Sequence, residues 1–152
     1  MNLELKVPPV AVGFVIVILM WLSKSLLPVF SFQSNYSLLF TLCLAVTGIM
    51  IAFAGVISFK RAQTSTNPLD PATASSLVTG GIYRYSRNPM YLGFDIVLAA
   101  FGFYLSNFLS IALTALFILY MSKYQIQPEE RVLESKFGDV FKEYKKQTRR
   151  WI

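Results

Sequence analysis

The chain has 152 residues, 55% of them hydrophobic and 14% charged, with a net charge of +6 and a mean hydropathy of +0.52. That apolar excess over globular usage reads as an integral membrane protein of one domain, residues 1–152, and excludes a separate soluble catalytic domain. Histidine is absent and Cys43 is the sole cysteine, which excludes an intrachain disulfide, argues against a metal site and removes the usual neutral-pH base.

Met1 to Pro9 carries Glu4 and Lys6 ahead of the first apolar run, Val10 to Leu22. No small-residue cleavage site follows, so this run reads as a retained helix extending through Lys24 toward Pro28, whose ring ends or kinks it. Ser37 to Phe59 holds no charge and is long enough to cross the hydrocarbon, which takes about 20 residues. Gln63 to Ser76, rich in Ser, Thr, Pro and Asn, fits a flexible linker. Leu77 to Leu92 fits one poorly, because Tyr83, Tyr85 and Tyr91 sit in it among glycine-bounded turns. Leu92 to Leu105 and Phe108 to Met121 follow, each reaching roughly 21 Å at 1.5 Å per residue, with Ser106-Asn107 between them. They borrow flanking residues from Pro89 to Tyr91 and Ser122 to Tyr124, or form a hairpin that stops short of the far face. Either way both ends of the hairpin lie on one side. Beyond Tyr124, apolar Ile126, Leu133, Phe137, Phe141 and Tyr144 recur at helical steps among Lys, Glu and Arg. That spacing predicts an amphipathic helix at the interface, broken near Gly138.

The expected fold class is an all-α membrane protein: about four transmembrane helices, the last two a short hairpin, plus a C-terminal amphipathic interfacial helix. Of fourteen Lys and Arg, only Lys24 falls between the first two helices, so the positive-inside bias predicts that both termini and the loop before Asn88 face the cytoplasm. Topology and anionic headgroups then explain the basic charge without a nucleic-acid partner.

The polar stretch Gly80-Gly-Ile-Tyr-Arg-Tyr-Ser-Arg-Asn-Pro-Met-Tyr-Leu-Gly93 interrupts the apolar runs, and Glu129-Glu130 stand where the last run ends. Joined by an apolar hairpin, the two clusters read as halves of one site. Leu77 to Gly93 resembles the signature of the isoprenylcysteine carboxyl methyltransferase and phospholipid methyltransferase families, which share Leu-Val, Gly-x-Tyr, Arg-His-Pro-x-Tyr and Gly. Glu129-Glu130, Leu133, Phe137-Gly138, Phe141, Tyr144 and Arg150-Trp151 resemble their C-terminal pattern. The resemblance runs from Ser75 onward and implies a membrane-embedded S-adenosyl-L-methionine-dependent methyltransferase whose cofactor motifs are residues 75–93 and 125–151. Carried over by position, it implies that Ser75, Ser76, Leu77, Val78, Tyr83, Asn88, Pro89, Met90 and Tyr91 line the cofactor. Glu129 or Glu130 would hold its polar groups.

The residue types fit that expectation physically. Tyr83, Tyr85 and Tyr91 offer faces for adenine or for a cationic sulfur. A carboxylate at Glu129 accepts from ribose hydroxyls or pairs with an ammonium. Gly80, Gly81 and Gly93 permit turns or close backbone approach, and Pro89 suits the first position of a helix whose free N–H groups receive an anion. Blander readings stand beside these: Tyr85 in an aromatic belt, Arg84 and Arg87 as topology determinants or headgroup ligands, the glutamates as solvated helix-start residues.

Two positions depart from the family pattern. Asn88 stands where the family has His, and can hydrogen-bond but not carry a proton near neutral pH. Gln125 replaces an Arg that the eukaryotic carboxyl methyltransferases associate with the substrate carboxylate. Asp95 is the one acidic residue inside an apolar run, a functional candidate on that ground, set against an interfacial Asp satisfied by water or Arg87. Gln125, Asp95 and Arg87 are the acceptor-side candidates. No residue is a strong base, so none is assigned as catalytic. The expected acceptor is a lipophilic small molecule or lipid, prenylcysteine-like carboxylate or thiol included, with membrane lipids as neighbours. The alternatives are phospholipid amine N-methylation and a non-catalytic lipid- or cofactor-binding protein of the same fold.

Overall fold

The computed structural model describes residues 3–152. Four helices make the first half and the hairpin: α1 (Pro9–Leu26), α2 (Ser37–Arg61), α3 (Pro89–Tyr104) and α4 (Phe108–Ala112). α5 (Thr114–Tyr120), a π-turn at Met121–Ile126 and α6 (Gln127–Gln147) continue from α4. Three helical stretches, α1, α2 and the rod from Phe108 to Gln147, are long and apolar enough to cross a membrane, and α3 is a shorter apolar helix. At 1.5 Å per residue α3 reaches about 24 Å, short of the roughly 30 Å of hydrocarbon. Its start at Pro89 shows that the hairpin takes up the flanking residues its apolar run needs. Phe14, Trp21, Leu39 and Phe53 point outward and are exposed, as suits helices that face lipid.

The core lies between α1, α3 and the rod, where Val12, Ile16, Met20, Leu98, Phe117 and Met121 pack together. At the hairpin tip, Asn107 caps α4 by accepting from the Ser110 N–H at 2.9 Å. Its Oδ1 also accepts from Ser23 Oγ at 3.1 Å, while Ser110 Oγ donates to the Met20 carbonyl at 2.9 Å. This buried polar cluster pins the tip to α1, the kind of interhelical hydrogen bonding that substitutes for hydrophobic drive inside lipid.

α2 joins through small residues. A Cβ added to Gly48 would lie 2.6 Å from the Gly93 carbonyl oxygen, and one added to Gly93 would lie 2.7 Å from the Ala52 nitrogen. Neither distance is tenable, so the α2 and α3 backbones touch because both positions are glycine. About two turns further along α2, Gly55 leaves room for the Met90 side chain, whose Cγ would lie 2.6 Å from an added Cβ, and that contact brings the end of α2 against the start of α3.

Two irregularities shape the other half. Pro128 has no N–H to give the carbonyl of Tyr124, four residues back. The helix widens into the π-turn there, and Leu5 N–H supplies the missing donor to Tyr124 O at 3.0 Å. Glu4 then pairs with Arg131 at 2.6 Å, so the described N-terminal segment lies at the same end as α6. Gly138 takes φ 55 and ψ −127, the break its residue type predicts. The apolar stripe of α6, Leu133, Phe137, Phe141 and Tyr144, packs on Leu77, Val78, Ile82 and Tyr83. The amphipathic helix therefore lays its apolar face on the motif loop.

Gln63 to Ser76 departs from the free linker that its composition suggests. Ser75 N–H donates to Thr64 Oγ1 at 2.8 Å and Ser76 Oγ to the Ala62 carbonyl at 3.1 Å. Lys136 Nζ donates to the Ala72 carbonyl at 2.6 Å, and Gln125 Nε2 to the Pro68 carbonyl at 2.5 Å. The segment is a strap laid across the end of the bundle, held by side chains more than fifty positions away.

Candidate active site

Beneath the strap, the ends of α2, α3 and α6 enclose a cleft with about 820 Å³ of empty space, counting its open mouth. Its floor and walls come from Tyr83, Asn88, Met90 and Tyr91 on the loop and the start of α3, and from Glu129, Glu130, Leu133, Phe141 and Tyr144 on α6. Tyr83 is buried, its ring set edge-on to Phe59 at 5.4 Å between centroids. Tyr144 Oη donates to the Tyr83 carbonyl at 2.7 Å, so the turn at Gly81–Arg84 is held by α6. Burial pushes the Tyr83 and Tyr144 phenols well above their ordinary range, which leaves both neutral hydroxyls.

The two adjacent glutamates do different work. Glu130 is gripped by two guanidinium groups: Arg87 Nη2 at 2.7 Å and Arg150 Nη2 at 2.6 Å. Burial alone would raise its pKa, but the hydrogen bonds and charges of Arg150 and Arg87 outweigh burial and leave it lowered. Arg87 Nη1 also donates to the Thr148 carbonyl, and Arg87 N–H to Arg149 O at 3.0 Å. Glu130 thus clamps the loop, α6 and the segment after α6. Glu129 has no cationic partner among the described residues. Its Oε1 accepts from Tyr91 Oη at 2.6 Å and Gln125 Nε2 at 2.5 Å, which leaves Oε2 for a donor that enters the cleft. Burial lifts its pKa from 4.5 to about 7, against the lowering effect of those two hydrogen bonds.

Ser76, Leu77, Val78, Tyr83, Asn88, Met90, Tyr91, Glu129 and Glu130 all line the cleft, as does Arg87. Ser75 is exposed and bonds within the strap, and Pro89 is buried as the first residue of α3 rather than in the wall. Asn88 Nδ2 donates to the Arg150 carbonyl at 3.0 Å. Gln125 is buried behind Glu129 and links it to the strap. Asp95 lies outside the wall, one helical turn beyond Tyr91, with Oδ1 buried and without a hydrogen-bond partner. Tyr85, at 78% exposed, takes no part. Sequence reasoning missed Phe59, the strap residues from Ser65 to Pro68, Pro71 and Ala74. For the strap the available signal was its proline content, which also marks a plain linker.

Comparison with known proteins agrees with this architecture. The family model described as phospholipid methyltransferase matches residues 36–140. An uncharacterized protein of Haemophilus influenzae is 43% identical over 63 residues, covering 41% of this chain and 100% of that protein. The protein-S-isoprenylcysteine O-methyltransferase of Schizosaccharomyces pombe is 41% identical over 70 residues, 46% of this chain but 30% of that enzyme. No solved structure matches the chain. With apolar helices set for a bilayer and a family match that spans α2 to α6, this membrane protein belongs to the phospholipid methyltransferase family.

Proposed function

We propose that the chain is an S-adenosyl-L-methionine-dependent methyltransferase that binds its cofactor in the cleft and modifies a lipophilic acceptor reaching it from the bilayer. The observation that carries this reading is Glu129: a carboxylate on the cleft wall with no cationic partner among the described residues and one oxygen uncommitted, beside the rings of Tyr83, Tyr91 and Phe141. When bound, the cofactor supplies an electrophilic methyl group on a sulfonium. Tyr83 and Tyr91 present faces to adenine or to that cation. Glu129 takes the ribose hydroxyls or the ammonium by charge-assisted hydrogen bonds, and the strap with α6 excludes water. Methyl transfer is an in-line displacement, so the protein's part is orientation. The wall holds no strong base, and an acceptor that is already nucleophilic, a carboxylate or thiolate, needs none.

Amine acceptors form a second reading, favoured by Asp95. An uncompensated carboxylate inside an apolar helix is costly, and a headgroup amine would answer it. The partition of Lys and Arg supports both termini and the cleft facing the cytoplasm, where the cofactor is made available. The test is calorimetry on detergent-solubilised protein. Saturable binding of S-adenosylmethionine is expected, with Tyr83→Ala about ten- to a hundredfold weaker for the loss of a stacked, buried ring. Absence of binding by correctly folded protein would refute the cofactor assignment.

A further inference from the structure

A second concavity lies between α1 and α5. It has about 960 Å³ of empty space counting its open side, and shares no lining residue with the cleft. Ala11, Val15 and Ile16 form one wall, and Leu116 and Leu119 the other. Val15 and Leu119 are exposed, so this apolar trough opens sideways, toward hydrocarbon in a membrane. Ala11 is the smallest side chain in its lining. The stretch from Leu116 to Lys123 runs about 10 Å along the helix axis, enough for part of an acyl chain.

The polar end of the trough gives the occupant its chemistry. Tyr120, Lys123 and Tyr124 close it, with the two tyrosine rings 4.9 Å apart and Lys123 Nζ 5.3 Å over the Tyr124 ring. Among the described residues no carboxylate lies in ion-pair range of Lys123, as is also true of Lys60 and Lys136; what sets Lys123 apart is its place at the end of the trough. An ammonium held at the headgroup level beside two amphipathic rings, above an apolar trough, is complementary to one molecule in particular. We propose that this groove is a binding site for an anionic phospholipid, one acyl chain lying between α1 and α5 and the phosphate on Lys123. The lipid held there is a structural companion and not the methyl acceptor, because the groove and the cleft are lined by different residues.

Native mass spectrometry from mixed micelles holding equal phosphatidylglycerol and phosphatidylcholine tests the site. One retained phosphatidylglycerol is expected, preferred about fivefold, as one basic residue near a surface provides. Lys123→Gln should bring the ratio to about one. Lys60→Gln, which removes the same charge from the exposed end of α2, should leave the preference intact. Ala11→Trp fills the trough at an exposed position and should abolish retention of either lipid with Lys123 in place. Equal retention of the two lipids by the native protein would overturn the proposal. So would a loss in Lys60→Gln equal to that in Lys123→Gln, which would mean net charge alone, or full retention by Ala11→Trp.

Discussion

Glu129→Gln separates a binding carboxylate from a structural one. Folding moves this carboxyl from a pKa of 4.5 to about 7, so between those values the folded protein holds a proton that the unfolded chain releases. Stability therefore falls as pH rises through that window and is flat above it. At 1.36 kcal/mol per unit, the ionised Glu129 costs the unliganded fold about 3 kcal/mol at pH 8. The amide removes that cost while its oxygen still accepts from Tyr91. The variant should unfold at a higher temperature than the native protein in detergent at pH 8, with the gap closing toward pH 5. Its affinity for S-adenosylmethionine at pH 8 should fall by about ten- to a hundredfold, the loss of a charge-assisted bond of about 1.5–3 kcal/mol. Thermal midpoints and calorimetric dissociation constants across pH 5 to 8 read both quantities. A variant less stable than the native protein at pH 8, or a stability gap independent of pH, would refute the reasoning and make Glu129 an acceptor that merely holds Tyr91 and Gln125.

Gly93→Ala forces α3 away from α2, since its Cβ would lie 2.7 Å from Ala52 N; a loss of about 1–3 kcal/mol and weaker cofactor binding are expected, while Gly80→Ala, with nothing near, should change neither the thermal midpoint nor the affinity. Asp95→Asn should leave cofactor binding intact and cut turnover most with an amine acceptor; equal turnover across amine, carboxylate and thiol acceptors would assign Asp95 to packing alone. Asn88→His retains a ring N–H for the Arg150 carbonyl and should keep or raise cofactor affinity, so a tenfold loss would show a pocket shaped around the amide.

What was legible in the sequence is what depends on local chemistry. Apolar runs marked each membrane helix, Ser106-Asn107 marked the hairpin tip, and Gly138 marked a break because a positive φ is cheap only for glycine. The family signature pointed to the loop and to the Glu129-Glu130 pair. What was not legible depends on partners remote in sequence. Two neighbouring glutamates look alike until Arg87 and Arg150 arrive on one of them. A strap and a tether share a composition, and only Gln125 and Lys136 on the far side distinguish them. The π-turn was not read from the sequence either; Pro128 bears on it through the N–H it lacks, which leaves the Tyr124 carbonyl to Leu5.

The clamp on the motif loop also sets an order of assembly during synthesis. Arg87 waits 61 positions for Thr148, Asn88 waits 62 for Arg150, and Ser86 waits 64 for the same carbonyl. At about 5–20 residues per second, that delay is roughly 3–12 s, long after α2 and α3 have both been made and their glycine faces can meet. For the first 43 of those positions Arg87 is an uncommitted cation beside the headgroups, able to hold the loop at the membrane surface until Glu130 takes over. A nascent chain arrested before Thr148 would carry its membrane helices in place and no finished cleft, so the proposed donor pocket closes only after the helices that wall it have been made.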